Sequence, residues 1–403
     1  MGMEDSPLVQ SFQSLLYLEV YGTLNTKSRR RPLARIKSDM KGDRMDRIAP
    51  IDYMAFRDSF AVTREIDSIL LSGKPELCPN PFLSIVIPTF RRPVFLKLAL
   101  DSALNQKNAG VSYEVVVVDN EPPGEATSQT EEVIAKYDVP NLLYYRNTQN
   151  LGIAGNWNRC AQLARGRWIA YLHDDDLLLP DYVWRMTRLL HRRNNIGGIM
   201  ALAFELCNEG SLQEAMDKSR SRLSILYDTI SRNKLMRLRR TDSHFKIANA
   251  YGAPTCGSVF RKDLLLASGG FDERFHPSFD WFLLYRFSGQ HRLYRSMERL
   301  GYYRVLVNVS LSDKTKEAFL RDRLSFVHYA SDHTKLGRVL RKLFENEQNN
   351  EILLEEYTDY EGKKAEDYFT PSTLRERQVR KVLYKILTNA YWKLKSYLCL
   401  IFG

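Results

Sequence analysis

Paired cysteines, long apolar runs and the familiar phosphate-binding glycine loops are all missing from this sequence. Its five cysteines, Cys78, Cys160, Cys207, Cys256 and Cys399, are scattered through 403 residues without a C-x-x-C pair. That spacing argues against a disulfide framework or a zinc-thiolate site and suits a reducing compartment. No run approaches the roughly 18–20 apolar residues of a membrane span. The opening MGMEDSPLVQ has no basic segment followed by an apolar core, so no secretory signal is expected there. The glycines of NLGIAGNWN, Gly152 and Gly155, have the wrong spacing for G-x-G-x-x-G or for a P-loop ending in Lys-Ser/Thr. Two large classes of nucleotide-binding protein are thereby disfavoured. Internal repeats and long low-complexity tracts are missing too.

What is present is enough apolar material for a core: 44% hydrophobic residues, with 27% charged. Lys plus Arg number 59 against 48 Asp plus Glu, a net charge of +11. Such an excess serves nucleic acid, an anionic membrane surface or phosphorylated substrates, or it is simply a solvated basic surface. No recognised nucleic-acid motif accompanies it, and the basic clusters lie outside the patterned region, so a nucleic-acid partner is not expected.

The chain divides into three. Residues 1–80 form an N-terminal extension with a basic patch, KSRRRPLARIK, closed by the connector GKPELCPNP. Residues 81–312 carry the strongest pattern. LSIVIPT (83–89), YEVVVVDN (113–120), NLLYYRN (141–147) and RWIAYL (167–172) read as buried strands. Between them RRPVFLKLALDSALNQ, with Val94, Leu98, Ala99 and Ser102 at helical spacing, SQTEEVIAKYD and NWNRCAQLA read as helices. Strands alternating with helices predict an α/β fold with a mostly parallel sheet covered on both faces. Residues 205–250 read as a charged helical insertion, and YYRVLVNVSLS as a further strand. From 313 the chain reads as a helical C-terminal region. Its last stretch has apolar residues at Val379, Val382, Leu383, Ile386, Leu387, Ala390, Leu394 and Leu398 within a basic surround. That amphipathic helix, 375–402, either lies on an anionic bilayer or packs against the core or a second subunit.

Three adjacent carboxylates in YLHDDDLLLP, Asp174, Asp175 and Asp176, stand out. Like charges repel, so a cation is expected to take up the charge. Mg²⁺ and Mn²⁺ prefer hard oxygen ligands shared with substrate phosphates; the plainer alternative is a solvated acidic turn leading into PDYVWRMTRLL. The predicted position is telling, because ligands of open α/β sheets gather beyond the carboxyl ends of the strands. Asp119 and Asn120 close the second strand, where they can meet a base or form a turn. Asp280 precedes an aromatic-rich helix, as a general base or as an N-cap. His173 and His276 could be ligands, although a lone histidine is more often structural.

Taken together, SIVIPTFRRPVFLKLALDSALNQ, EVVVVDNEPP, RNTQNLGIAGNWNRCAQLARGRWIAYLHDDDLLLPDYV and GGFDERF…SFDWFLLYR resemble the family 2 glycosyltransferases of the GT-A fold, over residues 83–310. The resemblance implies a Rossmann-like sheet, a nucleotide-diphosphate-sugar donor such as a UDP-sugar, Mn²⁺ or Mg²⁺, and inversion at the anomeric carbon. By matching position it implies a donor pocket of Pro88, Thr89, Arg91, Asp119, Asp174 and Asp175, to which the loop residues Asn120, Asn150 and Gly152 are added. Asp175 and Asp176 would hold the metal, and Asp280 would be the base. Three positions depart from the family pattern. His173 stands where many members have an aspartate, Phe279 replaces the glutamate of a Glu-Asp pair, and Leu306 sits where some have a metal-binding histidine.

The expected acceptor is a glycan or lipid-linked glycan hydroxyl, and the expected setting is cytoplasmic, at the inner face of a membrane if the basic helix lies there. A sugar-1-phosphate nucleotidyltransferase would use a related sheet, but normally opens with a glycine-rich loop. IVIPTFRRP contains no glycine.

Overall fold

A computed structural model describes residues 55–124, 128–192, 195–206, 238–240, 255–304 and Tyr329. The basic patch near Arg30, nearly all of the expected insertion, Leu306 and the C-terminal amphipathic helix lie outside the described residues. Those that are described belong to one compact unit beginning at Asp52.

Four strands form the parallel half of the sheet: β2 (Leu83–Thr89), β3 (Tyr113–Asp119), β4 (Leu142–Asn147) and β5 (Trp168–Tyr171). Their spatial order is β4-β3-β2-β5. The chain steps outward from β2 to β4, then returns to the other side of β2, so a crevice opens between the carboxyl ends of β2 and β5. Beyond β5 the sheet turns mixed. β9 (Val259–Arg261) is antiparallel to both β5 and β7 (Gly198–Leu206), and β10 (Leu293–Arg304) runs parallel to β7. Two short strands, β6 (Leu177–Leu178) and β8 (Leu238–Arg240), pair antiparallel with β10.

Every residue of β2 is buried, which explains its unbroken apolar run: both of its faces are covered. Ile85 and Ile87 point to one side with Val115 and Val117. There they meet α2 (Pro93–Leu104), α3 (Gln129–Ile134) and α5 (Tyr182–Leu190). Val86, Val116 and Val118 point to the other side. Those residues meet α4 (Gly152–Leu163), α6 (Lys262–Ala267) and α7 (Phe279–Gln290). Each such aliphatic side chain contributes roughly 1.5–3 kcal/mol by burial. The inward face of α2 is Leu96, Ala99, Leu100 and Ala103. Val94, expected on that face, is 71% exposed, because it lies in the first turn above the lip of the sheet.

Residues 57–72, within the stretch expected as an N-terminal extension, pack with the sheet and its helices. β1 (Ser68–Ser72) adds to the sheet edge, antiparallel to β4. Just before it, α1 (Ala61–Arg64) is tied to α4 through Arg159, whose guanidinium donates to the carbonyls of Thr63 and Ile66. Phe60 enters the core beside Phe271. Gly269 makes this approach possible: at φ +87° it lies so near Arg57 that a Cβ would sit 2.0 Å from the Arg57 carbonyl oxygen. No apolar periodicity announces such packing, since it depends on partners two hundred residues away. Among the described residues no helix is long and apolar enough to cross a membrane.

At the amino-terminal ends of the strands, the fully buried Glu114 accepts from Ser84 Oγ at 2.5 Å and from the Arg165 backbone N–H at 2.7 Å. Its other oxygen accepts from Arg165 Nε at 2.8 Å. Removing one partner of such a pair strands the other. Glu114→Ala is expected to lower the unfolding free energy by about 3 kcal/mol, measured by urea denaturation; a loss below about 1 kcal/mol would mean that water already satisfies Arg165.

Candidate functional site

Three strand ends converge at the crevice. Thr89, last in β2, is in register with Asp119, last in β3. On the other side of β2, the β5 ladder stops at the Val86–Tyr171 pair, followed by one hydrogen bond from Leu172 N–H to the Val86 carbonyl. Pro88 comes two residues later, on the edge β5 has left, so its missing N–H costs no ladder bond. The chain after β5 delivers His173, Asp174, Asp175 and Asp176 into this gap.

All three aspartates are buried, with exposures of 7%, 3% and 0%. The Thr89 hydroxyl donates to Asp174 Oδ2 at 2.9 Å. The cation that takes up the charge is Arg92: its NH1 donates to Asp175 Oδ2 at 2.7 Å and to Asp174 Oδ1 at 3.3 Å. Arg91, expected in the donor pocket, has φ +55°; its side chain is 65% exposed and pairs with Glu121 at 2.8 Å. The signal for Arg92 was Pro93. Proline favours the first helical position, and the residue before it is forced out of helical geometry, which places Arg92 on the lip of α2.

Asp176 faces the other way. The Arg304 backbone N–H donates to its Oδ1 at 2.8 Å, and Arg304 Nε donates to the Asp175 carbonyl at 2.7 Å. Arg304 is itself fully buried, its guanidinium 5.0 Å from the Phe95 ring centroid. Asp176 Oδ2 lies 2.9 Å from His173 Nδ1. Among the described residues, however, that buried oxygen has no donor aligned for a hydrogen bond.

The ligand atoms of His173, Asp175 and Asp176 lie within 4.8 Å of one another. Two carboxylates and an imidazole, converging in a buried site with Asp176 Oδ2 against His173 Nδ1, fit a divalent cation. Asp175 and Asp176 are thus brought together as expected, and His173 joins them.

His173 also reaches across to Asp280. Its Nε2 is 3.2 Å from Thr255 Oγ1, which in turn lies 3.4 Å from Asp280 Oδ2. Asp280 sits in the first turn of α7, its Oδ1 accepting from the Trp281 N–H at 2.8 Å. Ser278, not Asp280, occupies the N-cap position but makes no side-chain cap bond, and Asp280 serves a first-turn N–H with one oxygen while the other faces Thr255. Phe279, at the position of the missing glutamate, packs edge-on to Trp157 at 5.2 Å, and Trp157 lies 5.0 Å from His173. Aromatic rings therefore floor the site where a charge was expected.

That floor shifts the acids and the imidazole. Burial raises Asp174 to about 6, helped by Asp175 and opposed by Arg92 and Thr89. Burial also raises Asp280, with Trp281, His173 and Thr255 pulling the other way. For His173 burial pulls downward, but Asp176, Asp175 and Asp280 outweigh it and lift the imidazole to about 9. Without a cation in the site His173 is protonated, and a bound divalent ion would take that proton's place.

Asp119 is fully buried; Tyr144 Oη donates to one oxygen at 3.0 Å and the Glu121 N–H to the other at 3.0 Å. Asn120 is committed to the scaffold. Its amide nitrogen donates to Asn150 Oδ1 and the Gly152 carbonyl, and its oxygen accepts from Asn147 and the Leu151 N–H. Asn150 Oδ1 also accepts from the Gly152 N–H. α4 begins at Gly152, so the stretch read as a glycine loop is largely helix, its Ala154 N–H donating to Glu273 at 2.8 Å. Asn120 and Asn150 hold β3, β4 and α4 together. Asn120→Ala is expected to cost about 2 kcal/mol of stability; thermal unfolding at or above the parent midpoint would rule out the scaffold role.

Thr255, Arg92 and Arg304 escaped the sequence reading because each acts through contacts distant in the chain.

Residues 84–266 match the family model described as "Glycosyl transferase family 2". An uncharacterized protein of Mycobacterium tuberculosis is 29% identical over 48% of this chain and 57% of its own length. The succinoglycan biosynthesis protein ExoO of Rhizobium meliloti is 31% identical over 32% of this chain and 34% of its own. The chain therefore spans between a third and three fifths of these curated relatives. Among solved structures, residues 1–349 of S. aureus TarS align at 16% identity with a TM-score of 0.45, covering 74% of this chain and 77% of that one.

Proposed function

From the premise that residues 84–266 form a family 2 glycosyltransferase domain, we propose that the protein transfers a sugar from a nucleotide-diphosphate donor to a hydroxyl of a glycan or lipid-linked glycan, with inversion. The observation that carries this reading is the cluster of His173, Asp175 and Asp176 at the sheet's switch point, with Asp280 two contacts away through Thr255. The name of ExoO, a succinoglycan biosynthesis protein, supports an acceptor in cell-surface glycan synthesis.

Asp280 is the base: it takes the proton of the acceptor hydroxyl as that oxygen attacks the anomeric carbon from the side opposite the diphosphate. Its raised affinity for protons suits it to the task. Asp175, Asp176 and His173 would hold a divalent cation, and the imidazole among the ligands would favour Mn²⁺ over Mg²⁺. When bound, that ion supplies positive charge against the departing diphosphate. Thr89, Asp174 and the backbone at Pro88 line the donor side of the crevice, and Asp119 at its floor faces the base. Arg91, beside Glu121, lies at the crevice mouth.

The basic, apolar-striped sequence of residues 375–402 gives the acceptor side a reason to sit at a membrane, and a chain truncated near 370 is expected to lose binding to anionic vesicles. The deciding experiment is incubation with a panel of radiolabelled nucleotide sugars, UDP-sugars first, with and without Mn²⁺. Metal-dependent release of nucleoside diphosphate supports the transferase. Release of pyrophosphate from a sugar phosphate and a nucleoside triphosphate would identify a nucleotidyltransferase instead.

A further inference from the structure

One carboxylate in this site is claimed twice. Asp175 is the nearer partner of the Arg92 guanidinium, at 2.7 Å, and it is also one of the three groups close enough to share a cation. Arg92 and a divalent ion sharing Asp175 would face each other across a few ångströms of a buried site, where like charges repel strongly. An arginine keeps its charge, so it has to move.

We propose that Arg92 is a built-in competitor of the divalent cation. It occupies Asp175 in the empty site and turns to the donor's diphosphate when that arrives, so that cation and donor bind cooperatively. The inference rests on the metal-dependent transferase reading above and adds a role which that reading does not need. Three observations support it. Arg92 stands at the start of α2, its side chain 26% exposed and against the aspartates. Its planar fork matches a diphosphate as well as it matches two carboxylates. Asp174, its second partner, also accepts from Thr89, so one carboxylate stays satisfied when the guanidinium leaves.

The coupling is reciprocal by thermodynamic necessity: what the diphosphate does for the cation, the cation does for the diphosphate. The test is calorimetric titration with MnCl₂ alone, then with UDP or GDP added, on the full chain. Arg92→Gln is expected to bind Mn²⁺ alone about tenfold more tightly than the parent, the order of one charge-assisted hydrogen bond. The gain in Mn²⁺ affinity that nucleotide produces is expected to shrink by a similar factor. Arg91→Gln removes the same charge one residue away and is expected to change Mn²⁺ affinity by less than about twofold, since an exposed pair is worth little. If Arg92→Gln does not fold, Arg92→Lys carries the test, with a point charge in place of the fork and affinity between parent and Gln values.

Unchanged or weaker Mn²⁺ binding in the Arg92 variant that folds would overturn the proposal while leaving the metal site standing. An equal gain in Arg91→Gln would reduce it to net charge and overturn it as well. Absence of Mn²⁺ binding in every protein, with and without nucleotide, would remove the metal site and this proposal together.

Discussion

Asp280→Asn should lower turnover about a thousandfold, within the range of general base catalysis, while donor binding changes by less than about twofold. The asparagine keeps the shape, and its oxygen can still accept from the Trp281 N–H, as Asp280 does at 2.8 Å. What it cannot do is take a proton. Among the described residues no Lys or Arg forms an ion pair with Asp280, so its loss strands no buried guanidinium and the fold should survive. The parent should show a matching pH dependence. Only the ionised carboxylate is a base, and burial places its pKa above the ordinary aspartate value. Activity should therefore fall as pH drops through a midpoint higher than that of an exposed aspartate. The Asn variant should lack that limb. Equal loss of transfer and of donor affinity, measured by steady-state kinetics and calorimetry, would sink the assignment.

Asp176→Asn should weaken Mn²⁺ binding by about a hundredfold or more, the scale on which even outer-shell partners of metal ligands matter. The Asn oxygen can still accept the Arg304 N–H, as Asp176 Oδ1 does at 2.8 Å, so the loop after β5 should keep its place. The loss falls on Oδ2, which lies 2.9 Å from His173 Nδ1. Its place among the three groups whose ligand atoms lie within 4.8 Å of one another is the reason to assign Asp176, rather than Asp174, to the cation. Asp174 already has Thr89 and Arg92. Asp174→Asn should accordingly lower Mn²⁺ affinity far less than Asp176→Asn. The reverse order, read by Mn²⁺ titration on folded protein, would reassign the three aspartates.

Several elements of this fold were legible because their determinants are local. LSIVIPT is apolar on both faces, and it became β2 over the expected residues, Leu83–Thr89. SQTEEVI carries its own start signal: Ser128 accepts from the Glu131 N–H at 3.2 Å and Glu131 returns a bond to Ser128 at 3.1 Å. The aspartate run after an apolar strand could be placed at a sheet's carboxyl end by the same logic. Val94 shows where locality fails. Helical spacing identifies a stripe, but which side of that stripe meets the sheet depends on where the sheet lies.

Composition and periodicity thus determined the four parallel strands β2 to β5, the helices between them, and the placing of the aspartate run beyond a strand's carboxyl end. The residue types were enough, since alternating buried strands and helices close into few arrangements. Tertiary structure decided the pairing of charges. It set Arg92 against Asp174 and Asp175, turned Asp176 toward His173, joined His173 to Asp280 through Thr255, and built β1 into the sheet. Each of these depends on groups far apart in the chain that meet only when it folds. In a buried, low-dielectric site, a shift of a few ångströms decides which charge each acid answers.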